Sequence, residues 1–115
     1  MDAPAGREQR RSERVKLSVP VIIMTETVDH KQVQEVTATI TVNAHGGLFK
    51  LKMEVLAGQP MLLLNMNTNK EESCRVVRVE RLPNAEYGVA FEFEIPSPQF
   101  WVVSTAPTDW KLVSS

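Results

Sequence analysis

Val36-Thr37-Ala38-Thr39-Ile40-Thr41-Val42 alternates apolar residues with threonines, and this run decides the fold class. A period of two sends successive side chains to opposite faces of a strand. Val36, Ala38, Ile40 and Val42 are therefore expected on one face and Thr37, Thr39 and Thr41 on the other. The run stops at Asn43-Ala44-His45-Gly46-Gly47, a turn signal. Alternation then resumes, with Phe49, Leu51 and Met53 against Lys50 and Lys52.

Working outward from this pair, the rest of the chain reads the same way. Residues 17–28 are rich in β-branched side chains and predict a first strand, with Pro20 near its start or at a bulge. Asp29-His30-Lys31-Gln32 is a polar turn, and Gly58-Gln59-Pro60 is another. Residues 61–64 form a short apolar run suited to a buried strand, followed by a polar loop at 65–72. Residues 74–82 predict a strand carrying Arg75, Arg78 and Arg81, and Pro83-Asn84-Ala85 turns the chain. Tyr87, Val89, Phe91, Phe93 and Ile95 then alternate with Gly88, Ala90, Glu92 and Glu94. After Pro96 the alternation ends. One helical turn is expected near residues 97–101, Pro107 forbids a long helix, and Trp101 and Trp110 are expected to pin the tail to the body.

About six short strands with tight turns predict an all-β fold, an antiparallel barrel or sandwich, and closure into a barrel would also remove exposed sheet edges. The domain plan is an arginine-rich arm at residues 1–13, expected to be flexible, a barrel at 14–96, and a short tail at 97–115 that contains Pro and Trp. The 115 residues suffice for one domain, and an apolar share of 43% is enough to build a core. No apolar run approaches the roughly 20 residues of a membrane-spanning helix, the start lacks the apolar stretch of a secretion signal, and Cys74 is the sole cysteine. A cytoplasmic protein without membrane insertion is expected.

The chemistry-bearing residues point to binding and away from catalysis. His30 and His45 sit in separate turns, no nucleophile, base and acid are spaced as a triad, no metal-ligand cluster stands out, and no glycine-rich phosphate loop precedes a helix. No cofactor is expected. The net charge of −1 argues against a general nucleic-acid binder, although Arg75, Arg78 and Arg81 together with the arm keep that class in view. Charge is uneven: residues 1–16 hold Arg7, Arg10, Arg11, Arg14 and Lys16 against only Asp2, Glu8 and Glu13. Guanidinium is always charged and forks two donors toward phosphate or a guanine edge, so Arg10, Arg11 and Arg14 are candidate anion ligands; as a bare charged terminus they would be a solvated tail. The second candidate is the 43–47 turn. An Asn43 amide can read a base edge, His45 can donate or accept a bond, and Gly46 and Gly47 allow close approach to the backbone; the bland alternative is an ordinary hairpin.

Taken in order, these features resemble the PilZ domain family from about Arg7 to Glu94. Arg10-x-x-x-Arg14 running into Val-Lys-Leu-Ser-Val-Pro-Val is similar to the family's RxxxR motif and first strand. Thr41-Val-Asn-Ala-His-Gly-Gly-Leu-Phe stands where the family has D/N-x-S-x-x-G, and Arg75-Val-Val-Arg-Val with Tyr87-Gly-Val-Ala-Phe-Glu-Phe resembles its closing strands. The resemblance implies a six-stranded barrel that binds the bacterial second messenger cyclic di-GMP. Arg10 and Arg14 would grip phosphate and guanine, Arg11 would help stack, and the 43–47 turn would contact a guanine. The arm would then close over the nucleotide and signal to a protein partner. The second motif is degenerate. With Gly47 as its last glycine, Val42 and Ala44 occupy the D/N and S positions; with Asn43 as D/N, His45 replaces the serine. The alternative is a barrel that no longer binds the nucleotide and works as a protein-interaction module.

Overall fold

In a computed structural model that describes residues 14–27 and 29–101, the chain is an all-β, closed six-stranded antiparallel barrel. A two-residue strand β1 (Val15–Lys16) leads into β2 (Pro20–Glu26), β3 (Gln32–Asn43), β4 (Gly46–Leu51), β5 (Pro60–Asn65), β6 (Glu71–Leu82) and β7 (Glu86–Phe93). Around the wall the order is β3-β2-β5-β6-β7-β4, and pairing of β4 back onto β3 closes the ring. β1 adds to the last residues of β3 through Val15–Val42 and Lys16–Thr41. Every ladder is antiparallel. Among the described residues no helix is long and apolar enough to cross a membrane.

The interior follows the alternation in most strands. Val21 and Ile23 of β2, Phe49 and Leu51 of β4, Met61 and Leu63 of β5, and Val89, Phe91 and Phe93 of β7 all point inward and are buried. Ile95 does not join them. β7 ends at Phe93, and Ile95 is 72% exposed beyond the last ladder pair.

The long strand β3 departs from strict alternation. Val36 is 60% exposed and Ile40 41%, whereas Thr39 and Val42 are buried. The cause is a bulge: Thr39 pairs with Phe49 but Thr41 pairs with Leu48, so Ile40 has no partner in the β4 ladder. One extra residue reverses the inward phase. The expected division of apolar and threonine faces therefore fails, because Thr39 is inside before the bulge and Val42 is inside after it.

Thr39 also explains why the chain makes two strands, at 15–16 and 20–26, where one over residues 17–28 was expected. Its hydroxyl donates to the Leu17 carbonyl (2.6 Å) and accepts from the Val19 N–H (2.8 Å). This bridges the gap between β1 and β2, and Pro20, which has no N–H to give a ladder, opens β2. β6 begins at Glu71, earlier than the loop at 65–72 predicts, because Glu71 and Glu72 pair with Leu64 and Leu63.

The barrel end under the β3–β4 turn is filled by rings. A 3₁₀ turn (Pro98–Phe100) brings Phe100 and Trp101 onto Phe93, with ring centroids 5.3 and 5.7 Å away, and Phe49 stacks on Phe91 at 4.7 Å. Phe100 and Trp101 are buried, so the start of the tail belongs to the core. Asn65 is buried beside them and donates from Nδ2 to the Phe100 carbonyl (2.7 Å). Trp110 lies outside the described residues.

Candidate functional site

The β3–β4 connection is a two-residue turn, Ala44-His45, between Asn43 and Gly46. The Asn43 side chain builds it. Two backbone N–H groups, those of His45 (2.9 Å) and Gly46 (2.8 Å), donate to Asn43 Oδ1. Two donors on one atom identify that atom as the carbonyl oxygen. Asparagine is thus used here for its side-chain acceptor, since the left-handed backbone region is occupied elsewhere, by His30, Asn69, Asn84 and Ala85.

The backbone carbonyls of the turn are tied to the chain's later part. The Trp101 indole Nε1 donates to the Asn43 carbonyl (2.9 Å), the Ser97 N–H to that of Ala44 (2.9 Å), and the Phe93 N–H to that of His45 (2.7 Å). The glycines serve this close packing. A Cβ on Gly46 would collide with the Phe91 carbonyl, and one on Gly47 would lie 2.7 Å from the Thr41 carbonyl.

Outside this turn lies a cleft of about 240 Å³. Arg14 borders it from the lead into β1; Thr41, Val42 and Asn43 border it from β3. His45, Gly46, Gly47 and Leu48 line it from the turn and β4, and β6 and β7 contribute Val77, Arg78, Ala90, Phe91 and Glu92. Of the residues singled out in the sequence, Arg14, Asn43, His45, Gly46 and Gly47 come together here. Arg10 and Arg11 lie outside the described residues. Arg78 was read only as one of three arginines that keep nucleic-acid binding in view, and Glu92 was not singled out as a site residue. The signal that would have found Arg78 is a second bulge: Val76 pairs with Phe91 and Arg78 with Ala90, leaving Val77 unpaired. Val77 and Arg78 therefore both face outward, an arrangement invisible to a period-two reading.

A larger hollow of about 580 Å³ lies at the other end of β3, beside Val33, Val36, Met53 and Leu56. Several of its polar side chains serve the fold. Glu35 accepts from the Lys52 and Met53 N–H groups (2.7 and 3.1 Å), and Gln59 Nε2 donates to Thr25 Oγ1 (2.8 Å). Among the described residues no three His, Cys, Asp or Glu side chains gather as metal ligands do. No known family model matches the chain, and no curated protein matches it in sequence.

Proposed function

We propose that this barrel is a cyclic di-GMP receptor domain of bacterial second-messenger signalling, of the PilZ kind that its motifs resemble. The observation that carries the reading is the meeting of Arg14 with the Asn43–Gly47 turn on one cleft, although the two are far apart in sequence. An arginine supplies a fixed positive charge and a forked donor for a phosphodiester or a guanine edge. The adjoining His45 adds a group that both donates and accepts. The nucleotide would lie against the barrel wall, between Arg14 and the Asn43–Gly47 turn.

Calorimetric titration with cyclic di-GMP tests the proposal. Binding is expected, and Arg14→Ala should weaken it at least about tenfold, the loss of one charge-assisted contact. Absence of heat at about a hundred micromolar nucleotide, the range of a binding free energy near 5.5 kcal/mol, sinks it.

One observation favours a second reading. Asn43 Oδ1 is already taken by the turn's own N–H groups, and Ala44 has no polar side chain. A barrel of this shape without nucleotide affinity would be a protein-interaction module. It predicts a silent titration and a partner complex that survives Arg14→Ala.

A further inference from the structure

We infer that Arg78 is the second anion-binding residue of the cleft, and that the cleft takes a ligand with two separated phosphates, one held at Arg14 and the other at Arg78. The inference rests on the nucleotide-receptor reading and names a residue outside both motifs.

A single row of pairings crosses the floor of the cleft: Lys16 with Thr41, Thr41 with Leu48, Leu48 with Ala90, and Ala90 with Arg78. Both bulges of the barrel fall on this row, since Thr41 and Arg78 are the first residues paired after the two register shifts. Bulges re-aim side chains, and here one of them turns a second β6 residue in succession to the outer surface. Ala90, opposite Arg78, offers only a methyl group, which leaves room above β7 for the guanidinium.

The row is cationic at its ends and neutral between them. At one end Arg14 and Lys16 are exposed while Val15 packs against the core. At the other end Arg78 is exposed, and among the described residues its guanidinium has neither an ion pair nor a hydrogen bond, as is also true of Arg14. Arg75, on the same strand, differs: it pairs with Glu94 at 3.2 Å and donates to the Gly58 carbonyl. Lys16 and Arg78 stand four strand spacings apart, about 19 Å along the curved wall. That span suits one phosphate per end better than one phosphate shared by both. A cyclic dinucleotide carries two phosphodiesters, held closer together than this span by the ring that joins them, so the long side chains of Arg14 and Arg78, reaching inward over the cleft they both line, would each take one.

The test is titration of the wild type, Arg14→Ala, Arg78→Ala, Arg78→Lys and the control Arg81→Ala with cyclic di-GMP, and of the wild type with the single-phosphate nucleotide GMP. Arg78→Ala should weaken cyclic di-GMP binding at least about tenfold, Arg78→Lys should recover part of it, and Arg81→Ala should bind within twofold of wild type. GMP should bind at least about a hundredfold more weakly than cyclic di-GMP. Thermal denaturation checks that the variants remain folded. If Arg14→Ala weakens binding but Arg78→Ala does not, the inference is overturned and the receptor reading stands. If the wild type binds GMP as tightly as cyclic di-GMP, the two-phosphate ligand is overturned. If the wild type binds no cyclic di-GMP, both the inference and the reading fall.

Discussion

Thr39 is a polar residue at the inner wall of the barrel, 3% exposed, and its hydroxyl pairs two backbone groups that no strand ladder reaches. Thr39→Val keeps the shape and removes both bonds, leaving the Val19 N–H and the Leu17 carbonyl unpaired. The expected loss is about 1–3 kcal/mol in urea denaturation. Thr37→Val, which removes a bond to the Lys50 carbonyl at an exposed site, should cost less than about 1 kcal/mol. Cys74 is the other residue with a clear individual signature. Burial, reinforced by Glu94 and Glu72, pushes its thiol up from 9.0 to about 12. The native thiol should therefore resist a disulfide reagent at pH 8 and react freely in urea. The sign of the linkage follows from the direction of the shift. Above pH 9 the unfolded thiol loses its proton while the folded one keeps it, so the unfolded chain is favoured. The Cys74 contribution is fully present below pH 9 and is lost between pH 9 and about 12, which Cys74→Ala should abolish from the pH profile of the urea midpoint.

At the scale of elements, the two bulges and the β3–β4 turn do most to shape the surface. The bulge on β3 reverses which residues face the core, and the bulge on β6 brings Val77 and Arg78 out together. The turn between β3 and β4 needs glycine for reasons of space. Gly46→Ala puts a methyl group into the Phe91 carbonyl, and backbone must move to admit it. A loss of about 1–3 kcal/mol is expected, the usual cost of overpacking. Gly88→Ala, whose added carbon would meet Leu82 at 3.7 Å, should stay within about 0.5 kcal/mol of wild type. Equal melting temperatures for the two variants would contradict this account.

At the scale of the whole molecule, the barrel is stoppered at the end that carries the cleft. Trp101 packs on Phe91, Phe93 and Phe100 and donates its indole N–H to the turn. Trp101→Ala should cost about 3–5 kcal/mol in chemical denaturation, as for other buried aromatic residues. Trp101→Phe keeps most of the ring contacts and should lose only about 1 kcal/mol, the value of the missing hydrogen bond. A truncation after residue 96 removes Phe100 and Trp101 together and should unfold at lower urea than either single variant.

The all-β class, the strand count, the closing hairpin and the lysine-bearing outer face of β4 were all legible in the sequence, because each depends on a local period of two and on turn residues at its ends. The candidate turn at Asn43–Gly47 was legible for the same reason. The faces of β3, the place of Arg78 on the cleft and the burial of Thr39 and Asn65 were decided only in three dimensions. A bulge inserts one residue without any change in composition, and its position is set by how two strands meet around a closed wall. Whether a threonine is inside depends on whether distant backbone groups, here those of Leu17 and Val19, need a partner there. The sequence by itself determined which strands form; the closure of the barrel determined which side chains share the cleft, because only closure places β1 and β6 at the two ends of one row.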